Sequence, residues 1–276
     1  MIRGTTSLIA HFGDPIAPVK APMIYNPYFE SRGIDAVVVP MGVRAADYAD
    51  TLRAVFRFTN IRGALVTMPH KVATVALVNE CTTAVHIAGS CNAILRRVDG
   101  SLLGDMFDGA GFVRGVERKG FAVAGSRCLV VGSGGVGSAI AAALAAAAPS
   151  TLAVFDAHAP SADALGDRLR LHYPELDVRS GSKDPAAFSL VVNATPLGMN
   201  ADDPLPVDVE RIAPGTFVGE VVMQQEITPL LRAARARGCP TQVGTDMLFE
   251  QIPLYLEFFG FGTATPEELR AVAKLS

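Results

Sequence analysis

The stretch Arg127-Cys-Leu-Val-Val-Gly-Ser-Gly-Gly-Val-Gly-Ser138 constrains the fold more tightly than any other part of the chain. Leu129, Val130 and Val131 form a short apolar run of the kind a buried parallel strand has. Gly132, Gly134 and Gly137 then complete G-x-G-x-x-G, and the alanine-rich stretch 139–148 continues as a helix. Strand, glycine turn and helix in that order give the context that separates a dinucleotide-binding turn from a chance glycine pattern. The residue types follow from the chemistry. A pyrophosphate approaches the backbone closely only where side chains are missing, and its charge is met by the unpaired N–H groups and positive dipole end of the helix. Gly135 and Val136 lie inside the same turn. Asp156 stands 24 positions after Gly132, at the end of the next strand. A carboxylate there accepts hydrogen bonds from the ribose hydroxyls of NAD and repels the 2′-phosphate of NADP. The following residues, Ala157-His158-Ala159, supply no Arg for that phosphate, so NAD is expected in preference to NADP.

The remaining chain repeats a strand–helix rhythm. Strands are expected at 7–12, 36–41 and 64–67, with amphipathic helices at 23–31 and 45–58. Segments 72–80 and 82–88 read as helical, and Asp99-Gly100 is a hairpin turn signal between 92–98 and 101–104. A helix at 108–119 leads into the nucleotide half. There, strands at 152–155, 177–180, 190–192, 216–222 and 241–243 alternate with helices at 162–172 and 229–237, and helices at 247–259 and 266–275 close the chain. Alternation of this kind implies an α/β fold with parallel sheets.

Composition narrows the functional classes. Half of the 276 residues are hydrophobic and the formal net charge is −3, with no basic stripe, so neither nucleic acid nor a membrane surface is an expected partner. Cys81, Cys91, Cys128 and Cys239 are scattered without a C-x-x-C, and the five histidines lack ligand spacing, so neither a disulfide frame nor a metal site is expected. Residues 1–15 lack the features of a signal peptide, and the apolar stretch 139–148 is too short to span a bilayer; a cytoplasmic location is expected.

Lys71 follows a strand end and Pro69, which puts it at the C-terminal edge of a sheet, where α/β proteins bind ligands. Alone it reads as a solvated lysine, and Asp108, at a helix start in a glycine-rich turn, reads as a cap. Brought together, a Lys and an Asp form a coupled proton-handling unit, as removing hydride from a secondary alcohol requires. Thr67, Asn92 and Gln251 are candidates for hydrogen bonds to substrate hydroxyls.

Six motifs in order make the chain resemble the shikimate dehydrogenase family over essentially its whole length. They are Gly13-Asp-Pro-Ile16, Val66-Thr-Met-Pro-His-Lys71, Gly89-Ser-Cys-Asn92, Gly104-Asp-Met-Phe-Asp-Gly109, Asn193-Ala-Thr-Pro-Leu-Gly-Met199 and Met247-Leu-Phe-Glu-Gln251. The resemblance implies two α/β domains with a cleft between them: a substrate domain of residues 1–107 with 245–276, and a Rossmann-type dinucleotide domain of residues 108–244. It implies catalytic roles for Lys71 and Asp108 and substrate contacts for Asn92 and Gln251. On the cofactor side it adds Asn193, Ala194, Thr195 and Gly244 to the glycine turn.

The departures from the family pattern are concentrated in the pocket. Val19 and Ala21 stand where the family has the serines of S-x-S, which bind the substrate carboxylate. Leu65 replaces the Asn of N-V-T, Met106-Phe107 the N-T of N-T-D, and Met223 a pocket Tyr. Six polar positions are apolar, and each lost hydrogen bond to a charged group is worth roughly 1.5–3 kcal/mol. The expected activity is therefore NAD-dependent oxidoreduction of a shikimate- or quinate-like cyclic polyol by a monomer or homodimer. The alternatives are a plain shikimate dehydrogenase with an unusual pocket, and a non-catalytic nucleotide-binding homologue.

Overall fold

The computed structural model of the chain describes residues 2–200 and 202–275. They group into two compact units, one of Met1–Val85, Gly89–Phe107 and Ile252–Ser276, the other of His86–Ala88 and Asp108–Gln251.

The first unit is built on β1 (Ser7–Gly13), α1 (Pro22–Arg32), β2 (Ala36–Gly42), α2 (Tyr48–Val55), β3 (Ile61–Val66), α3 (Lys71–Thr74), β4 (Glu80–Cys81), α4 (Thr83–Ala88), β5 (Ala93–Arg96) and β6 (Leu102–Asp105). Its sheet runs β2-β1-β3-β5-β6-β4. β1, β2 and β3 are parallel, as the alternation of strand and helix implies, but β5 is antiparallel to both β3 and β6. The sheet is therefore mixed. The Asp99-Gly100 turn that joins β5 to β6 is the reason, because a two-strand hairpin can only run antiparallel. Gly100 sits there in the left-handed region, and Asp99 caps the turn by accepting from the Ser101 N–H.

Two helices are shorter than their periodicity suggests. In 45–58 a 3-10 turn precedes α2, which stops at Val55. In 72–80 only Lys71–Thr74 is α-helical, followed by a 3-10 turn, and Val78 is extended on the way to β4. Val72, Thr74, Val75 and Val78 are β-branched and lose rotamer freedom in a helix, while pairing of Glu80 and Cys81 with β6 supplies the competing ladder.

The second unit holds α5 (Asp108–Arg118), β7 (Arg127–Val131), α6 (Gly135–Ala146), β8 (Thr151–Phe155), α7 (Ala159–His172), β9 (Asp177–Ser180), β10 (Leu190–Asn193), β11 (Phe217–Glu220), α8 (Pro229–Ala236) and β12 (Thr241–Gln242). It also holds the first half of α9 (Gly244–Phe259), while α10 (Pro266–Val272) closes the chain within the first unit. Its six strands are all parallel, in the order β12-β11-β10-β7-β8-β9. Counted within the unit this is 3-2-1-4-5-6, the doubly wound Rossmann order. Continuous apolar runs such as Leu129–Val131 and Leu190–Val192 are buried on both faces, as central parallel strands require. Phe112, Ile140, Leu144 and Leu165 pack over one face and Leu230, Leu231 and Ala234 over the other. Thr228 and Thr265 cap α8 and α10 through their side-chain oxygens. Among the described residues no helix is long and apolar enough to cross a membrane.

Candidate active site

In the first unit the candidate residues gather at the C-terminal ends of β1 and β3. β3 ends at Val66, Thr67 donates its N–H to Phe12 of β1, and Lys71 is the first residue of α3. The Lys71 carbonyl accepts from Cys91, which ties the start of α3 to the loop carrying Asn92. Asn92 is 1% exposed and its Oδ1 accepts from the Phe107 N–H at 3.0 Å, while its own N–H reaches the Asp105 carbonyl. Asn92 thus fixes the course of the 105–107 turn. His11 lies within electrostatic reach of Lys71 and belongs to none of the motifs. Burial, and secondarily the positive charge of Lys71, lower its imidazole to about 4. Its signal in the sequence is a lone polar residue in the apolar run Leu8-Ile-Ala-His-Phe12.

The apolar replacements fall into two groups. Met106 and Phe107 are buried, Phe107 edge-on to Tyr255 and Phe258 with ring centroids 4.8 and 5.3 Å away, so both belong to the core of the first unit. Leu65 is likewise buried. Val19 and Ala21 are half-buried, with Ala21 at the N-cap of α1, and Met223 is exposed.

In the second unit Asp108 opens α5 and is 6% exposed. Gln251 packs against Gly111 of that helix, and its Oε1 is buried with no partner. The glycine turn follows β7. Gly132 lies at φ +105°, a region natural only to glycine, and a Cβ on Gly137 would overlap the Gly132 carbonyl oxygen. Space beside Gly134 is open, and α6 starts with no side-chain cap on its first N–H groups. Gly135 and Val136 form the first turn of α6. The turn after β10 packs alongside, with Ala194 donating to Val131 and touching Gly132. Gly132 follows β7 and Asn193 ends the adjacent strand β10, on either side of the point where the strand order reverses. Phosphate-bearing ligands bind at that point in open α/β sheets, and the uncapped N–H groups suit an anion, so these residues fit a dinucleotide.

Glu220, which lies in none of the motifs, organises this edge. It is wholly buried, and its carboxylate accepts from Asn193 Nδ2, Thr228 Oγ1 and the Val221 and Val222 N–H groups. Burial raises its pKa against the lowering effect of these donors. Asn193 in turn holds Thr195 through Oδ1 and Leu197 through Nδ2. Gly244 opens α9 next to the Val222 carbonyl.

A Rossmann unit with an anion-ready glycine turn, together with an α/β unit presenting a lysine at a strand end, defines a nucleotide-dependent dehydrogenase. Comparison with known proteins makes this specific. The shikimate dehydrogenase substrate binding domain matches residues 12–94. A protein of Rubrobacter xylanophilus named shikimate dehydrogenase (NADP(+)) is 38% identical over 256 residues, covering 91% of this chain and 89% of its own. One of the same name from Acidiphilium cryptum is 33% identical, covering 99% and 98%. Among solved structures, a quinate dehydrogenase of Corynebacterium glutamicum in complex with NAD aligns with a TM-score of 0.87 at 28% identity, over 97% of this chain and 98% of that one. The chain belongs to the shikimate dehydrogenase family and is an oxidoreductase.

The preference for NAD argued from Asp156 is overturned, since the close relatives are named for NADP(+). The geometry gives the reason. Asp156 Oδ2 accepts from the Ser133 N–H at 2.7 Å and Oδ1 from the His158 N–H at 2.9 Å. The carboxylate is engaged by backbone donors and braces the glycine turn, so its presence alone does not decide the ribose substituent.

Proposed function

We propose that this protein is an NADP-dependent shikimate dehydrogenase, interconverting 3-dehydroshikimate and shikimate in the cytoplasm. The observation that carries the reading is Lys71 at the C-terminal end of β3 with Thr67 and Asn92 beside it, in a chain that matches its NADP(+)-named relatives nearly end to end. When bound, the nicotinamide accepts or supplies hydride at C4. The Lys71 ammonium and Asp108 carboxylate handle the proton of the reacting hydroxyl, a contribution of roughly 10²–10⁴-fold for a positioned acid or base. Thr67 and Asn92 orient the ring, and the unpartnered Gln251 Oε1 offers an acceptor for a substrate hydroxyl. Backbone N–H groups of Gly134 to Val136 hold the pyrophosphate, and Asn193 to Thr195 line the same edge.

The test is steady-state turnover of shikimate and quinate with NADP+ and with NAD+. Shikimate with NADP+ should be the efficient pair, and absence of turnover with shikimate would refute the reading. Lys71→Ala should lower kcat at least 100-fold at unchanged NADP+ affinity.

A further inference from the structure

His11 lies in register with Leu65 across the parallel β1–β3 pair. Register partners in a parallel pair send their side chains to the same face, and the period of two adds Gly13 and Thr67 to it. Gly13 and Thr67 do share that face, since a Cβ on Gly13 would lie 2.5 Å from Thr67 Cγ2. One face at the ends of β1 and β3 therefore carries His11, Leu65 and Thr67, with Lys71 close enough to His11 to act on its charge. His11 is 8% exposed and its Nδ1 is buried without any hydrogen-bond partner. A native fold rarely leaves such an atom unmatched, and the exceptions call for a reason in a ligand or in catalysis. Leu65 occupies the position where the motif it resembles has an amide. The polar group missing from β3 has a counterpart one strand over, at the same level of the sheet.

We propose that His11 is a substrate-contacting, specificity-determining residue, its imidazole supplying from β1 the hydrogen bond that the apolar Leu65 cannot make from β3. The ligand group is a ring hydroxyl or carbonyl oxygen of the cyclic substrate, so the proposal rests on the shikimate dehydrogenase reading. A neutral imidazole has one N–H donor and one acceptor nitrogen, and it can therefore pair with either the alcohol or the ketone form.

The test combines His11→Leu, which keeps the volume, with Leu65→Asn alone and in the His11→Leu background. Shikimate KM in His11→Leu should rise at least tenfold, with the NADP+ KM and the thermal midpoint kept. Adding Leu65→Asn to His11→Leu should recover most of the loss, a rescue that a purely structural histidine would not show. In the ¹⁵N-histidine-labelled wild type saturated with NADP+, shikimate should shift the His11 imidazole nitrogens, which reads the contact even if a variant fails to fold. A His11→Leu enzyme with kcat/KM within twofold of wild type, or His11 resonances unmoved by bound shikimate, would overturn the proposal and leave the function standing. A wild type that neither binds nor turns over shikimate would overturn both.

Discussion

Burial of His11 makes a quantitative claim about acid stability. In the unfolded chain its imidazole titrates near 6.5, and in the folded chain at about 4. Between these values the unfolded chain holds a proton that the folded chain does not, so stability falls as pH falls. The contribution is complete above 6.5 and lost on passing through about 4. At about 1.36 kcal/mol per pH unit the full span is about 3 kcal/mol, of which about 2.5 kcal/mol is expressed by about pH 4.5. Replacing His11 by Leu removes this proton linkage. Urea unfolding followed by circular dichroism, from about pH 7.5 to about pH 4.5, should show the stability of wild type falling relative to His11→Leu by about 2.5 kcal/mol. Glu220, whose raised pKa works in the opposite direction, is common to both proteins and cancels in the difference. A gap that stays constant to within about 0.5 kcal/mol over this range would refute the burial argument.

Other consequences are simpler to state. Gly137→Ala places a methyl against the Gly132 carbonyl oxygen, so NADP+ affinity measured by titration calorimetry should fall at least tenfold, and unchanged affinity would contradict the role of the turn. Glu220→Ala strands Asn193, Thr228 and two backbone N–H groups, at about 1–3 kcal/mol for each group left unsatisfied. The urea midpoint should drop and NADP+ binding weaken together; Glu220→Gln, which keeps one acceptor oxygen, should be milder in both.

The sequence made the Rossmann unit legible because its strands are fully buried and its turn needs glycine, so apolar runs and glycines mark both without help from distant residues. Lys71 and Thr67 just after β3 and Asn92 just before β5 are legible as candidates for a related reason, since motif and strand boundary coincide. What was hidden depends on pairing between remote segments. The antiparallel placement of β5 and the ladder that stops a helix after Thr74 are set by partners far along the chain. Glu220 belongs to no motif, and its role rests on four donors that converge on it only in the fold. His11 gave a visible cue, one polar residue in an apolar strand, but its meaning lay in the register with Leu65. Asp156 misled because position in sequence does not reveal which donors a carboxylate already serves.

The reversed strand β5 has a practical consequence for engineering. Because it runs against β3, it begins at the sheet edge that holds Asn92 and Thr67 and ends at the opposite edge, in the exposed turn at Asp99-Gly100. Four residues of strand, at about 3.3 Å each, separate that turn from Asn92. A peptide tag spliced between Asp99 and Gly100 should therefore be carried at full activity, which makes this hairpin the natural handle for immobilising the protein.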